Sequence, residues 1–393
     1  MPRIKIYSSF LILLSINFLF GAKYFSRYTE WGMIIASGLV FIQVLFLYFF
    51  YTNKEFLKNK AVYIVGYGAV VFLIAVAILI HYKIPLESLN VDRYSVISSY
   101  LDNLFNDEYP YYAKSHMGNP PGPMPFYFIV AMPFYLIGEL NLLSLSGYLV
   151  ALVLILKRIS ADNNRLIYLV LILMSSPFLY WELSTRSNVF TFSLFVLVAL
   201  MNSYKTLEKE TTKKRFWLSS LLFGISLSTR AAFITSYIIF FIFMIRRNIN
   251  SRGIILKYVC GGAFFFTLTF VPLVLRYPND FFFINPFIIQ ASFLVPTIYT
   301  VFFIIISIGM GFLVKKKSDM IFYQGLVLFI VVLIYFIYHI IISGIQAAYF
   351  DSIIDISYFI FCLPFLYFFI IKNYSNSVRG LDIKITNRYF KIK

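Results

Sequence analysis

The chain has 393 residues, 60% of them hydrophobic, 20% aromatic and only 13% charged, and its mean hydropathy is +0.81. A soluble core of this length cannot hide so much apolar surface, which excludes a water-soluble globular domain and points to a membrane protein. The formal charge of +17 would suit nucleic acid if the cations were clustered; they are instead dealt out among the connections between apolar runs.

A bilayer-crossing helix needs about 20 apolar residues, and hydropathy predicts about twelve spans (eleven to thirteen): roughly 6–22, 31–51, 61–81, 142–157, 163–181, 188–204, 216–229, 231–246, 254–275, 287–313, 320–343 and 352–371. The first run ends in "FLFGAKYFSR" without a small-residue cleavage site, so it is expected to be a retained span. With the N-terminus inside, the inner connections hold Arg3, Lys5, Lys54, Lys58, Lys60, Lys157, Arg158, Arg165, the lysines of "KKKSD" and the tail from Lys372. The outer ones hold fewer cations, Lys23, Arg27, Lys83, Arg93, Lys114, Arg186, Arg230 and Arg276, and most of the carboxylates. The positive-inside rule then predicts a multi-pass protein of the cytoplasmic (plasma) membrane with both termini cytoplasmic. One membrane domain, 1–393, is expected: an N-terminal helical hairpin (1–60), a core (61–371) and a basic cytoplasmic tail (372–393). Cys260 and Cys362 fall in apolar spans and read as core residues.

The external connection 82–141 stands apart from the rest. In it Ile97, Tyr100, Leu101, Leu104 and Phe105 recur at helical spacing opposite Ser98, Ser99, Asp102 and Asn103, which predicts an amphipathic interfacial helix. Next, "GNPPGPMPF" carries Pro120, Pro121, Pro123 and Pro125, which preclude a regular helix and give a stiff extended connector. "FYFIVAMPFYLIG" is too short to cross. If it did cross, "KRISADNNR" would land outside against the charge rule, so a second interfacial helix is expected.

The succession "DRYSVISSYLDNLF", "EYPYY" and "NPPGPMPFYFIVAMPFYLIGE" resembles the first external loop of GT-C superfamily membrane glycosyltransferases, and the later "LKR", "LYWELSTRSN" and "GISLSTRAAF" follow in the same order. The resemblance runs from about residue 61 onward. It implies an all-α, GT-C-like fold in which 82–141 is the catalytic loop. It also implies an inverting, mannosyltransferase-like hexosyl transfer from a polyprenyl-phosphate sugar donor to a glycan, glycolipid or protein hydroxyl on the outer face, as in cell-envelope glycan synthesis. Asp92 matches the catalytic aspartate of that loop, where it would act as general base.

Each candidate residue also has a plainer reading. Asp92 precedes a helix and suits an N-cap. A departing lipid phosphate needs cationic or hydrogen-bonding partners, and the outer-side candidates are Arg186, Arg230, Arg93, Lys114, His116 and Arg276. Arg230 interrupts an apolar run, where an arginine is costly without a partner, although it could snorkel from a tight outer turn. Arg186 lies four residues after Glu182, the spacing of a helix-surface ion pair. Tyr94, Glu182, Asn188, Asn285, Gln290 and Asp355 are candidates for holding sugar hydroxyls; the aromatic surroundings of Asn285 and Gln290 equally suit an interfacial belt. Asp351 and Asp355, four apart, could face one cavity. No cofactor is expected. A divalent metal on Asp92 with Glu182 or Asp107, as in the oligosaccharyltransferase branch, is disfavoured, no spacing suits zinc, and no phosphate loop for a soluble nucleotide sugar occurs. Two rival readings stand beside this one. A transporter or flippase of lipid-linked sugars would be expected to show repeats and broken helices. A surface-polysaccharide polymerase or ligase shares the donor type, but tends to carry its large outer loop late in the chain with arginines leading.

Overall fold

The computed structural model describes residues 2–52, 59–89, 91–159, 161–208, 211–247, 252–292, 295–351 and 353–373. The connection holding Lys54 and Lys58 and most of the basic tail lie outside these residues. The described residues are all-α, with no strand among them. In chain order they form α1 (Pro2–Phe25), α2 (Gly32–Thr52), α3 (Asn59–Lys83), α4 (Arg93–Phe105), α5 (Pro125–Leu136), α6 (Asn141–Leu156), α7 (Ile167–Met174), α8 (Pro177–Thr185) and α9 (Val189–Glu208). There follow α10 (Lys213–Leu227), α11 (Ile234–Arg246), α12 (Arg252–Leu268), α13 (Val271–Arg276), α14 (Pro278–Phe283), α15 (Pro286–Ser292), α16 (Thr297–Leu313) and α17 (Lys317–Ile345). The last described element is α18 (Ile356–Asn373), whose first turns are tightly wound.

Six of these are long and apolar enough to cross a membrane, and eight if each of two bent pairs is one span. The bent pairs are α5–α6, turning through 109°, and α7 with α8, turning through 53°. This is the make-up of a membrane protein. Proline sets most of the breaks: it lacks the N–H that an interior turn would need, and its fixed φ suits the first turn of a new helix. Accordingly Pro125, Pro177, Pro272 and Pro278 sit in the first turn of α5, α8, α13 and α14. The runs expected as single spans at 163–181, 254–275 and 287–313 are each divided for this reason or by a short turn. Gly138, at φ 86°, supplies the left-handed residue that ends α5 and turns the chain into α6.

Two apolar cores result. The larger joins the long helices, with Leu13, Tyr148, Leu197, Phe240 and Leu366 fully enclosed. The smaller is built by α4, α5, the proline segment and α13–α15, around Ile97, Tyr100, Leu101, Tyr111, Tyr127 and Phe128. That second core makes a cap on one end of the bundle, in which the expected helical face of α4 is the buried one, save that Phe105 is 51% exposed. The ring of Tyr100 stacks on Phe128 at 3.5 Å, and Tyr135 donates to Asp102, so α5 is bolted along α4. Ionic contacts sort the two ends. Lys5 pairs with Asp319 at 2.7 Å and Lys317 lies over the Tyr204 ring at the far end. At the cap end Lys23 donates to the Ile354 carbonyl at 3.3 Å and Arg93 pairs with Asp355. Cys362 is buried as expected, whereas Cys260 is exposed on α12.

Candidate functional site

Asp92 stands at the N-cap of α4, yet its side chain makes no capping bond. Its Oδ2 instead accepts from Ser115 Oγ at 2.9 Å and from Asn119 Nδ2 at 2.7 Å. Both donors belong to the turn before the prolines, which closes on itself through Ser115 N–H to Asn119 O at 2.9 Å and Gly118 N–H to Ser115 O at 2.8 Å. His116, exposed on this turn, is hydrogen-bonded through Nδ1 to Ser95 Oγ at 2.7 Å, which docks the turn on α4. Oδ1 of Asp92 makes no hydrogen bond to any described residue. One carboxylate oxygen is thus fixed and the other is left to accept.

Arg93 turns toward the start of α18. It pairs with Asp355, donates to Ser357 Oγ at 2.9 Å and lies over the Tyr358 ring at 5.1 Å. The Tyr358 ring stacks on Phe361 at 5.6 Å, and Arg230 covers Phe361 at 5.9 Å and Tyr127 at 5.0 Å. One aromatic wall therefore carries both guanidinium groups. Tyr127 OH donates to Asn188 Oδ1 and accepts from Arg230 Nη2 at 3.4 Å. Buried beside it, Arg230 Nε and Asn188 Nδ2 have no partner among the described residues. Two unsatisfied buried donors at one hydroxyl are costly unless something accepts from them, and an anion is the acceptor that an arginine suits best.

The turn holding Arg230 is tied to the cap from three directions. Gln290 donates from Nε2 to Gly122 O at 2.6 Å and accepts at Oε1 from Ala231 N–H at 2.9 Å. Met124 N–H donates to Thr229 O at 3.0 Å, and Phe126 N–H to Ser228 Oγ at 3.3 Å. Tyr111 OH holds Pro123 O at 3.0 Å.

Other candidate residues are brought elsewhere or are already occupied. Glu182 is wholly buried and accepts from Tyr148 OH at 2.6 Å, Ser187 Oγ at 2.9 Å and Val189 N–H at 2.7 Å, at the start of α9. The expected Glu182–Arg186 surface pair does not form. Arg186 ends α8 in a left-handed conformation, φ 55°, and its guanidinium donates to Ser184 O at 2.8 Å and Ile84 O at 2.9 Å and pairs with Glu139 at 3.5 Å. Asn285 caps α15, accepting from Phe287 and Ile288 N–H at 3.1 Å each. Asp351 accepts from Gln346 at 3.1 Å and Asp355 pairs with Arg93, so each of the two carboxylates already has a partner of its own. Tyr94 is half-buried against the cap core, and Lys114 is exposed. Among the described residues no three His, Cys, Asp or Glu side chains gather as a metal site would require. A cavity of about 570 Å³ lies along α10 and α12, lined by Trp217, Leu256, Lys257, Cys260 and Phe265, and shares no residue with this cluster.

Ser115, Asn119, Tyr127, Ser357, Tyr358 and Phe361 were not singled out by sequence. Asn119 and Ser115 bracket a glycine turn just before the prolines, a signal for an ordered loop; Tyr127 and Phe361 sit in apolar runs and carry none. The chain was compared with protein-family models, with curated proteins and with solved structures, and none of the three comparisons yields a match.

Proposed function

We propose that the chain is a membrane glycosyltransferase that moves a sugar from a polyprenyl-phosphate carrier to an acceptor hydroxyl. The observation that carries the reading is Asp92, an N-cap aspartate whose side chain forgoes the cap, is oriented by Ser115 and Asn119, and keeps one oxygen available beside a two-arginine wall. In this mechanism Oδ1 of Asp92 takes the proton of the acceptor hydroxyl. The freed oxygen attacks the anomeric carbon, the bond from that carbon to the phosphate oxygen breaks, and the sugar inverts. The phosphate leaves with its negative charge met by Arg230 and Asn188, while Arg93, already paired with Asp355, adds a positive charge beside them. Arg186 drops out of the phosphate set and Glu182 out of the sugar set, because backbone groups and buried donors already occupy them.

On this reading each bent pair is one span and α10, α11, α12 and α16 also cross, making twelve spans with both termini on one side and the cap with Asp92 on the other, external, side of the plasma membrane. Arg246, Lys157 and Arg165 then fall inside, in keeping with the charge rule. A second reading, a transporter of lipid-linked sugars, draws on the bent pairs α5–α6 and α7–α8, since broken helices line transport sites. One experiment separates the two. Glycolipids and surface glycans are measured by mass spectrometry in host cells carrying wild type, Asp92→Asn or a deletion, with protein levels checked. The enzyme reading expects Asp92→Asn to be as abundant as wild type yet to lose the same sugar as the deletion, by about 10²-fold or more. An Asp92→Asn variant with wild-type glycans, beside a deletion that alters lipid distribution across the membrane, refutes it.

A further inference from the structure

The far side of the cap carries an arrangement that the reaction centre does not use. Tyr109 is buried, and two further rings lean on it: Tyr112 edge-on at 5.1 Å and Tyr277 tilted at 5.6 Å. Each donates its hydroxyl to a carboxylate from the opposite segment, Tyr112 to Asp280 Oδ1 at 2.8 Å and Tyr277 to Asp107 Oδ1 at 3.0 Å. Tyr112 is 46% exposed. The Asp107 carboxylate, also paired with Arg276, is open to solvent on a residue held at φ 64°, a left-handed conformation that non-glycine residues seldom adopt. The hydrogen bond to Asp280 raises the Tyr112 pKa, so the phenol remains a donor throughout the neutral range.

We propose that this face is a binding shelf for an extended, uncharged oligosaccharide, the glycan portion of the acceptor. Sugar rings offer C–H faces that stack on aromatic rings and hydroxyls that donate to carboxylates and accept from guanidinium. Tyr112 and Tyr277 supply the rings, Asp107 and Asp280 the acceptors with capacity to spare, and Arg276 the donor. The local excess of carboxylate over cation disfavours an anionic glycan. The shelf lies just past the C-terminus of α4 and Asp92 at its N-terminus; thirteen residues separate the ends, about 20 Å. An acceptor that reaches both is several sugars long. Calling the ligand an acceptor rests on the glycosyltransferase reading; the binding itself does not.

The alternative is that the two crossed tyrosine–carboxylate bonds only tether the 106–112 turn to the 276–284 segment. The test is calorimetric titration of the full chain in detergent with α-mannotetraose, maltotetraose, cellotetraose and chitotetraose and their monosaccharides. At least one tetrasaccharide binds about tenfold or more tightly than its monosaccharide. Tyr112→Ala and the double variant Asp107→Asn/Asp280→Asn each weaken it about tenfold, while Tyr112→Phe, which cuts the tether but keeps the ring, changes it less than about threefold. The shelf is overturned if no tetrasaccharide outbinds its monosaccharide, or if Tyr112→Ala binds as wild type. If a tetrasaccharide binds in this way and Asp92→Asn keeps glycan transfer in cells, the catalytic reading fails and the shelf stands; if transfer needs Asp92 and no tetrasaccharide binds, the reverse holds.

Discussion

Replacing Glu182 separates a structural carboxylate from a substrate-binding one. Its two oxygens receive four buried donors: Tyr148 OH, Ser187 Oγ, Val189 N–H and Phe190 N–H. Glu182→Ala strands all four, at about 1–3 kcal/mol each. Even the lower bound sums to about 4 kcal/mol, and α9 also loses the negative charge at its N-terminus. Set against a net stability of about 5–15 kcal/mol, the alanine variant is expected to be poorly folded. Glu182→Gln keeps the shape and one acceptor oxygen, and the Tyr148 hydroxyl can rotate to accept from the new amide. Its cost is the step from charged to neutral hydrogen bonds, about 1–2 kcal/mol. Thermal unfolding in detergent, followed by tryptophan fluorescence and size-exclusion chromatography, should rank wild type, glutamine and alanine in that order, with alanine largely aggregated. An alanine variant that melts like wild type and loses only glycan transfer would show Glu182 to be a substrate group and sink this account.

Three further outcomes are expected. Asn119→Ala removes one of the two donors to Asp92 Oδ2 and lowers glycan product about tenfold, the worth of one hydrogen bond, at unchanged protein level; Ser115→Ala/Asn119→Ala approaches Asp92→Asn, as read by mass spectrometry of the product. Arg230→Lys keeps the charge but loses the planar fork and its Nε donor, so product falls about tenfold and Arg230→Gln falls further, whereas a merely snorkelling arginine would tolerate lysine. Gly262→Leu drives a Cβ into the Phe223 ring between α10 and α12, so that packing must shift, while at Gly253 nothing lies within 4 Å; membrane abundance should drop for the first leucine and hold for the second.

How much of this was legible in the sequence depends on the range of the contact involved. Composition and periodicity report local physics, so the all-α membrane class, the buried face of α4 and the separate helix after the prolines could all be read directly. The resemblance to GT-C enzymes directed attention to Asp92, and the interrupted apolar run to Arg230; in the structure Arg93, next to Asp92, and Arg230 lie on one aromatic wall. Span continuity was less legible, because hydropathy does not register a bend at Ser175 and Ser176 when both flanks are apolar. Partner choice was not legible. Glu182 and Arg186 have the spacing of a pair, but α8 ends between them, and each finds a better partner tens of residues away: Tyr148 for one, Glu139 and Ile84 for the other. Gln290 and Asn285 look alike as polar residues among aromatics. Only the fold shows that one is a local cap while the other bridges segments 168 residues apart.

That bridge bears on how the proposed base, Asp92, and the proposed phosphate group, Arg230, can be held in register when neither lies on a long helix. Asp92 is oriented by a turn that runs straight into Pro120 and Pro121, and Arg230 sits on an extended residue between two helices. Left alone, each would move with its own loop. The single amide of Gln290 donates to Gly122 within the proline run and accepts from Ala231 next to Arg230, so the two loops share one fastening. Proline stiffness then transmits that fastening to Asn119 and so to the Asp92 carboxylate, since the run has few soft dihedrals in which to lose it. A carboxylate that declines its own helix cap, about 1 kcal/mol of local stabilisation, in favour of a distant loop fastened in this way is positioned by the fold as a whole. On the proposed function this accounts for a polar segment 91–126 that is long, proline-rich and folded back: its length spans the cap, and its stiffness ties the Asp92 carboxylate to the loop that carries Arg230.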